Sequence, residues 1–454
     1  MAPKFGTSGL RGLVVELNDD IVAGYVAAFL EGSDTNGTVL IGRDLRSSSE
    51  RIGRAVAGAV VAGGHTPLDC GVLPTPALAL AAMERSTAAV MVTGSHIPDD
   101  RNGLKFYSGS GEITKADETA IAGRVTPLSV TPVAGRPDAT AREAYIDRYI
   151  KAFRPETLHG LRIGVYEHSS AARDILGDVL RKLGAEAVAL GRADAFVPVD
   201  TEALSGEMRS GLAGWAREHG LDAIVSTDGD ADRPMLADAE GRVIPGDRLG
   251  PLTARWAGAE TVVTPVSSNT LVDAIGEFAV IRTRIGSPFV VAGMGEADGR
   301  TVGYEANGGL LLGFEGPGSL APLPTRDALL PILAPLALAV EGGVSIADLA
   351  AGLPPRFTAA DRLTDIPRER ALALVDALES DDELAARIYP NLGAPVAIDR
   401  TDGRRAHFAD GRIVHLRPSG NAPEFRVYTE AESEARAGET LTATLTALDA
   451  ALRD

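Results

Sequence analysis

Ala89-Val-Met-Val-Thr-Gly-Ser-His-Ile-Pro98 is a short apolar run that breaks abruptly into a polar loop. Such a bounded run reads as a buried strand, and the loop beyond its carboxyl end sets a serine hydroxyl beside an imidazole. The plan occurs twice more. Ala223-Ile-Val-Ser226 runs toward Asp228-Gly-Asp-Ala-Asp-Arg233, and Thr301-Val-Gly-Tyr304 runs into Glu305-Ala-Asn-Gly308. Each of these strands follows another that passes through polar residues into an amphipathic helix. Val39-Leu-Ile-Gly-Arg-Asp-Leu-Arg-Ser-Ser-Ser49 leads to Ile52, Val56 and Val60 on one helical face, opened by a capping box of Ser47 and Glu50 and closed by Gly63-Gly64. Ile163-Gly-Val-Tyr-Glu-His-Ser-Ser170 leads to Ile175, Val179 and Leu183, and Val262-Val-Thr-Pro-Val-Ser-Ser-Asn269 leads to Leu271 and Ile275. Three segments of one plan imply three related α/β domains with mixed or parallel sheets, each offering one loop to a ligand.

Proline-rich punctuation sets the expected boundaries at 1–138, 139–245, 246–355 and 356–454. After Leu353-Pro-Pro355 the pattern changes. A helix is expected from Arg370 to Arg387, then alternating strands such as Arg412-Ile-Val-His-Leu416 and Glu424-Phe-Arg-Val-Tyr428, and a final helix from Ala431. That is a smaller α+β domain, and the turn Arg417-Pro-Ser-Gly-Asn-Ala-Pro423 is a fourth candidate loop.

The formal charge of −18 argues against a nucleic-acid or anionic-membrane partner, because those affinities are built on Lys and Arg. An anionic substrate therefore needs locally concentrated positive charge. The single cysteine, Cys70, excludes a disulfide framework, and the apolar run Ala328–Val340 is broken by Pro331 and Pro335, short of the ~18 residues that span a bilayer. A cytoplasmic protein is expected.

Three aspartates at i, i+2 and i+4 beyond an apolar strand repel one another unless a cation neutralises them. An EF-hand also opens Asp-x-Asp-x-Asp, but it needs glycine at position six and glutamate at twelve, where this chain has Arg233 and Ala239. The serine loop lacks the Gly-x-Ser-x-Gly elbow of an esterase. Serine and carboxylates together point to metal-assisted phosphoryl transfer with Ser95 as carrier, the serine phosphate giving the metal a fourth oxygen beside Asp228, Asp230 and Asp232.

Taken in order, Phe5-Gly-Thr-Ser-Gly-Leu-Arg-Gly12, the serine loop, Asn102-Gly-Leu-Lys105, the aspartate loop, the Glu305 loop and the Arg417 loop resemble the α-D-phosphohexomutases, the family of phosphomannomutases and phosphoglucomutases. The resemblance spans the chain. It implies a fourth, TATA-binding-protein-like domain closing a central cleft with the other three, a phosphoserine, Mg2+, and a hexose 1,6-bisphosphate as intermediate and activator. It sets Ser95, His96, Lys105, Arg11 and Arg233 at the reacting centre. Arg284, Glu305, Asn307, Arg417, Ser419 and Asn421 fall to the substrate, with Glu305 accepting from two vicinal sugar hydroxyls and Arg417 gripping the distal phosphate. The expected partner is a small sugar phosphate, with no nucleic acid and no membrane, and the protein a monomer or homodimer.

Departures from the commoner pattern cluster at the loops: Gly94 for alanine, Ile97 for asparagine, Ala231 for glycine, Asn307 for serine, Gly309 for histidine, Asn421 for threonine, and Arg284 where lysine is common. Mannose phosphate is the first expected substrate, glucose phosphate nearly level and glucosamine phosphate third. The competing class is a non-catalytic sugar-phosphate sensor on the same scaffold, which would have no use for three metal-binding aspartates.

Overall fold

A computed structural model of the chain describes residues 3–6, 9–420 and 423–453. Its contacts divide it into two units: Met1–Val262 with Gly286–Ala350, and Val263–Ile285 with Ala351–Asp454.

In the first unit, Thr38–Arg43, Thr66–Val72 and Ala88–Val92 lie parallel, and Arg101–Ser108 pairs antiparallel with Ala88–Val92. All five residues of Ala88–Val92 are buried, as a strand covered on both faces requires. Its carboxyl end delivers the Thr93–Pro98 loop, and the register Met91↔Lys105 brings the lysine alongside. The helix Ser49–Ala62 forms with Ile52, Val56 and Val60 inside, but the expected capping box does not. Ser47 Oγ donates to Asp99 instead (2.8 Å), Ser49 Oγ to Asp44 (2.5 Å), and the N-cap Ser48 makes no capping bond. Tertiary acceptors outcompete the local motif.

A second sheet places Arg162–His168 between Glu186–Arg192 and Ala223–Thr227, all parallel, with Pro234–Ala237 antiparallel at the edge. Because Thr227 pairs with Pro234, the aspartates are confined to one tight turn. Ala231 in that turn has φ +58, the left-handed region that costs a non-glycine residue about 1–2 kcal/mol. Farther along, Thr301–Tyr304, Leu310–Leu312 and Leu323–Asp327 form an antiparallel run, so the Glu305 loop turns over next to residues 325–327.

The second unit carries a five-stranded antiparallel sheet in the order Phe357–Thr364, Glu424–Ala431, Ile413–Pro418, Arg404–His407, Ala397–Asp399. Leu374, Ile388, Val414, Leu416, Phe425, Val427 and Leu448 fill its core. The helix expected over 370–387 is two helices, Arg368–Ala377 and Asp382–Ile388, because the Asp381 side chain caps the second by accepting from Leu384 N (2.8 Å). The last helix is Glu434–Arg453; Ala431 belongs to the preceding strand, where it is fully buried.

Candidate active site

Ser95 is buried at the tip of its loop with φ +56, a strained backbone for a non-glycine residue. The loop is held from behind. Asp44 accepts from Thr93 Oγ1 (2.7 Å), Ser49 Oγ (2.5 Å), Gly94 N (3.3 Å) and Arg46 Nε (3.1 Å). Burial pushes the Asp44 carboxyl up, against the pull of Arg46, Ser49 and Thr93. The rest of the Arg46 guanidinium donates to the carbonyls of Ser95 (2.8 Å), Ile97 (2.5 Å), Pro98 (2.6 Å) and Arg101 (3.0 Å), and its Cζ lies 4.0 Å from the centre of the Phe196 ring. A Cβ at Gly94 would meet Arg46 Cζ at 2.7 Å, which explains the glycine where the resemblance expects alanine.

Ser95 Oγ donates to Asp228 Oδ2 at 2.6 Å and lies 3.3 Å from His96 Nδ1. Asp228, Asp230 and Asp232 are buried, each offering one oxygen within 4.8 Å of the others. The loop is fixed from both neighbouring segments: Thr75 donates to Asp230 through its hydroxyl (2.5 Å) and its N–H (2.8 Å), and Ala171 N donates to Gly229 O (2.9 Å). Asp228 Oδ1 takes the N–H groups of Asp232 and Arg233. Asp230 Oδ1 and Asp232 Oδ1 have no hydrogen-bond partner among the described residues. Two orphaned carboxylate oxygens in a buried, all-oxygen cluster fit a hard divalent cation such as Mg2+. Burial, reinforced by Asp230 and Asp232, pushes the Asp228 carboxyl well up.

Four cations surround the carboxylates. Lys105 Nζ contacts Asp230 Oδ2 (2.6 Å) and Asp232 Oδ2 (2.7 Å), and although burial disfavours its charge, those two carboxylates raise its pKa. Arg326 joins Asp232 Oδ2 (2.7 Å) to Glu305 Oε2 (3.1 Å). Burial opposes the Asp232 charge, yet Arg326, Lys105 and Arg233 hold this acid below the usual carboxylate range. Arg233 is turned to Glu202 (3.3 Å) and Asp200 (3.8 Å). The Arg11 guanidinium makes no hydrogen bond or ion pair with any described residue; burial and the nearby Arg233 lower its pKa to about 10. A desolvated cation without a partner is a ready anion subsite. Burial, with Arg233 and Arg11 close by, also takes His96 down to about 2 and keeps the ring neutral.

Glu305 is buried at the head of its loop, which Gly308 turns at φ +84. Asn307 Oδ1 accepts from Gly309 N (2.9 Å), so its carbonyl shapes the loop. Gly309 has no room for the expected histidine: a Cβ would lie 2.9 Å from both Arg326 Cδ and Asp232 O.

In the second unit, Arg417 Nε donates to Asp402 Oδ2 (3.0 Å), and the same oxygen accepts from Ile285 N (3.0 Å). One carboxylate therefore gathers the segment of Arg284 and the Arg417 fork. Ser419 is buried, its N–H donating to Glu424 O (2.9 Å). Asn421, expected beside it, lies outside the described residues, as do Thr7 and Ser8 of the first motif.

The phosphoglucomutase/phosphomannomutase family descriptions match in succession: alpha/beta/alpha domain I over residues 2–129, domain II over 143–241, domain III over 245–357 and the C-terminal domain over 365–446. The chain belongs to the phosphohexomutase family. A phosphomannomutase of Sinorhizobium fredii is 44% identical, with 100% of each chain covered, and one of Salmonella muenchen is 41% identical over 95% of this chain and 92% of its own. The crystal structure of a phosphoglucomutase/phosphomannomutase family protein from Burkholderia thailandensis shares the fold, at a TM-score of 0.76 with 20% identity, covering 98% of this chain and 97% of that one. The phosphohexomutase fold and an isomerase activity by phosphoryl transfer follow. No helix among the described residues is long and apolar enough to cross a membrane.

Within this phosphohexomutase, the first unit brings together Ser95, His96, Lys105, Arg11, Arg233, Glu305 and the three aspartates, while Arg284, Arg417 and Ser419 stand in the second. Sequence reasoning missed Asp44, Arg46, Thr75, Arg326 and Asp402. Asp44 and Arg46 lie within a quoted strand-to-serine segment and pair with each other, but nothing local to them names the Ser95 loop they hold. Gly309 was the one signal pointing at Arg326, a small residue where bulk was expected.

Proposed function

We propose that the chain interconverts hexose 6-phosphate and hexose 1-phosphate, with mannose phosphate as preferred substrate, through a phosphorylated Ser95 and a 1,6-bisphosphosugar. The observation that carries this reading is the 2.6 Å contact of Ser95 Oγ with Asp228 Oδ2, inside a buried cluster of three carboxylates. Asp228, Asp230, Asp232 and the serine phosphate would hold Mg2+, which supplies Lewis-acid polarisation of the phosphoryl group. The hydroxyl of the sugar attacks phosphorus and the bond to Ser95 Oγ breaks; of the three candidates for the hydroxyl proton, Lys105, His96 and Arg11, the neutral His96 ring has the lone pair to accept it, the other two being cations. Arg11 and Arg233 stabilise the charge on the transferring group. Glu305, assisted by Asn307, orients the ring through its hydroxyls. The bisphosphate then turns and returns its other phosphate to Ser95, while Arg417, with Arg284, Ser419 and Asn421, grips whichever phosphate is not reacting. Trace hexose 1,6-bisphosphate would activate the enzyme by phosphorylating Ser95.

Preference for mannose phosphate is supported by the names of the 44% and 41% identical relatives. The test is intact mass and turnover together: one phosphate mapping to Ser95, parallel assays on mannose, glucose and glucosamine phosphates, and a loss in Ser95→Ala of at least ~10³-fold in kcat. Mutase activity retained by Ser95→Ala would end the phosphoserine reading.

A further inference from the structure

Arg326 occupies the penultimate position of the Leu323–Asp327 strand, and the residue after it is locked in place. The Asp327 carboxylate accepts from Tyr145 Oη (2.6 Å), from Tyr149 Oη and from Leu329 N (3.1 Å), all buried, so the backbone beneath Arg326 has little freedom. From that base the side chain runs over Gly309, where no Cβ could stand, and its two terminal nitrogens reach carboxylates on different loops: Asp232 on the metal-binding turn and Glu305 on the sugar-binding one. Arg326 is not the sole counter-charge of Asp232, because Lys105 sits 2.7 Å from the same Oδ2. What Arg326 adds is its grip on Glu305. A guanidinium is a planar fork that fixes the mutual orientation of both acids, which a single ammonium cannot do. It takes Glu305 through Oε2.

We infer that Arg326 is a specificity-determining positioning residue: by bridging Asp232 and Glu305 it sets the orientation in which Glu305 reads the ring hydroxyls of a phosphohexose. The inference rests on the proposed contact of Glu305 with the sugar. Sugar reading and metal loop are thereby joined by one side chain, and a sugar that misplaces Glu305 also disturbs Asp232.

The experiment uses the full chain with Mg2+ and trace bisphosphate. kcat and KM are measured on a hexose 6-phosphate and its 2-, 3- and 4-deoxy analogues, for wild type, Arg326→Met, Arg326→Lys and Glu305→Gln. Wild type should lose about 10–150-fold in kcat/KM on at least one analogue, the range for a charge-assisted hydrogen bond lost. Both Arg326 variants should raise KM for the parent sugar while that deoxy penalty shrinks below ~3-fold, because a wandering Glu305 no longer distinguishes the hydroxyl. Lysine keeps the charge and protects against misfolding, so it carries the test should the methionine variant fail to fold. A merely structural role would lower activity on all sugars equally and leave the penalty at its wild-type size in both variants, which overturns the inference. A full penalty persisting in Glu305→Gln overturns the sugar-contact reading itself, and the inference with it.

Discussion

Replacing Arg46 by Met removes five hydrogen bonds at once: one to Asp44 and four to the carbonyls of Ser95, Ile97, Pro98 and Arg101. The Arg46 and Asp44 side chains are fully shielded from water, so the variant leaves an uncompensated buried carboxylate. Breaking one partner of such a pair costs about 3–5 kcal/mol. Asp44 keeps its bonds from Ser49, Thr93 and Gly94 N, and methionine retains part of the packing on Phe196, which argues for the lower end, about 3 kcal/mol. At roughly 2–4 °C per kcal/mol, melting should fall by about 6–12 °C. The kinetic effect should be of similar size in free energy. The four lost donors are what hold the left-handed Ser95 against its neighbours, and a displacement of about 1 Å at a reacting atom costs on the order of 10²-fold. KM should change by less than ~3-fold, since Arg46 is walled off behind the loop. Differential scanning fluorimetry and steady-state kinetics on the same preparation decide it. Melting within ~2 °C of wild type, with kcat within ~3-fold, would refute the view that Arg46 holds the nucleophile loop.

Chelation should abolish turnover reversibly, with Mg2+ restoring it, and Asp230→Asn should abolish it irreversibly, because an amide at the orphaned Oδ1 supplies less charge and an N–H facing the metal. Full activity after exhaustive chelation would refute metal dependence. Arg417→Ala should lower kcat/KM about 10–150-fold and release free 1,6-bisphosphate, while Ser95 still cycles its phosphate. Unchanged KM with no bisphosphate released would mean that Arg417 is not the distal clamp.

The residues most legible in the sequence are those whose role is announced by the chain next to them. Ser95 and the three aspartates stand at the ends of short apolar strands, where local pattern alone exposes a loop, and the structure brings them into contact. Ser47 and Glu50 fit a local motif equally well, and the structure declines it because Asp99 and Asp44 offer the serines better acceptors. The break at Asp381 was hidden by continuous helical periodicity on both sides of a capping residue. Asp44, Arg46, Arg326 and Asp402 were illegible because each reads as an ordinary surface-type charge: Asp44 and Arg46 pair with each other but hold a loop distant in sequence, and Arg326 and Asp402 take their partners from other segments. Gly309 marks the limit of what a departure from pattern can reveal, since it shows that space was needed but not which side chain fills it.

Several hydrogen bonds cross between successive α/β segments: Ser95 of the first donates to Asp228 of the second, Thr75 to Asp230, and Lys105 to Asp230 and Asp232. Neither segment owns the reacting centre. A fragment ending before residue 139 would carry the serine and Lys105 but none of the three clustered aspartates, and a fragment beginning there would carry those aspartates with nothing to deliver to them. Mixed after separate purification, such halves could regain chemistry only by rebuilding this buried seam. Fragment complementation in this chain would therefore report the assembly of the seam, with phosphorylation of Ser95 as its covalent record.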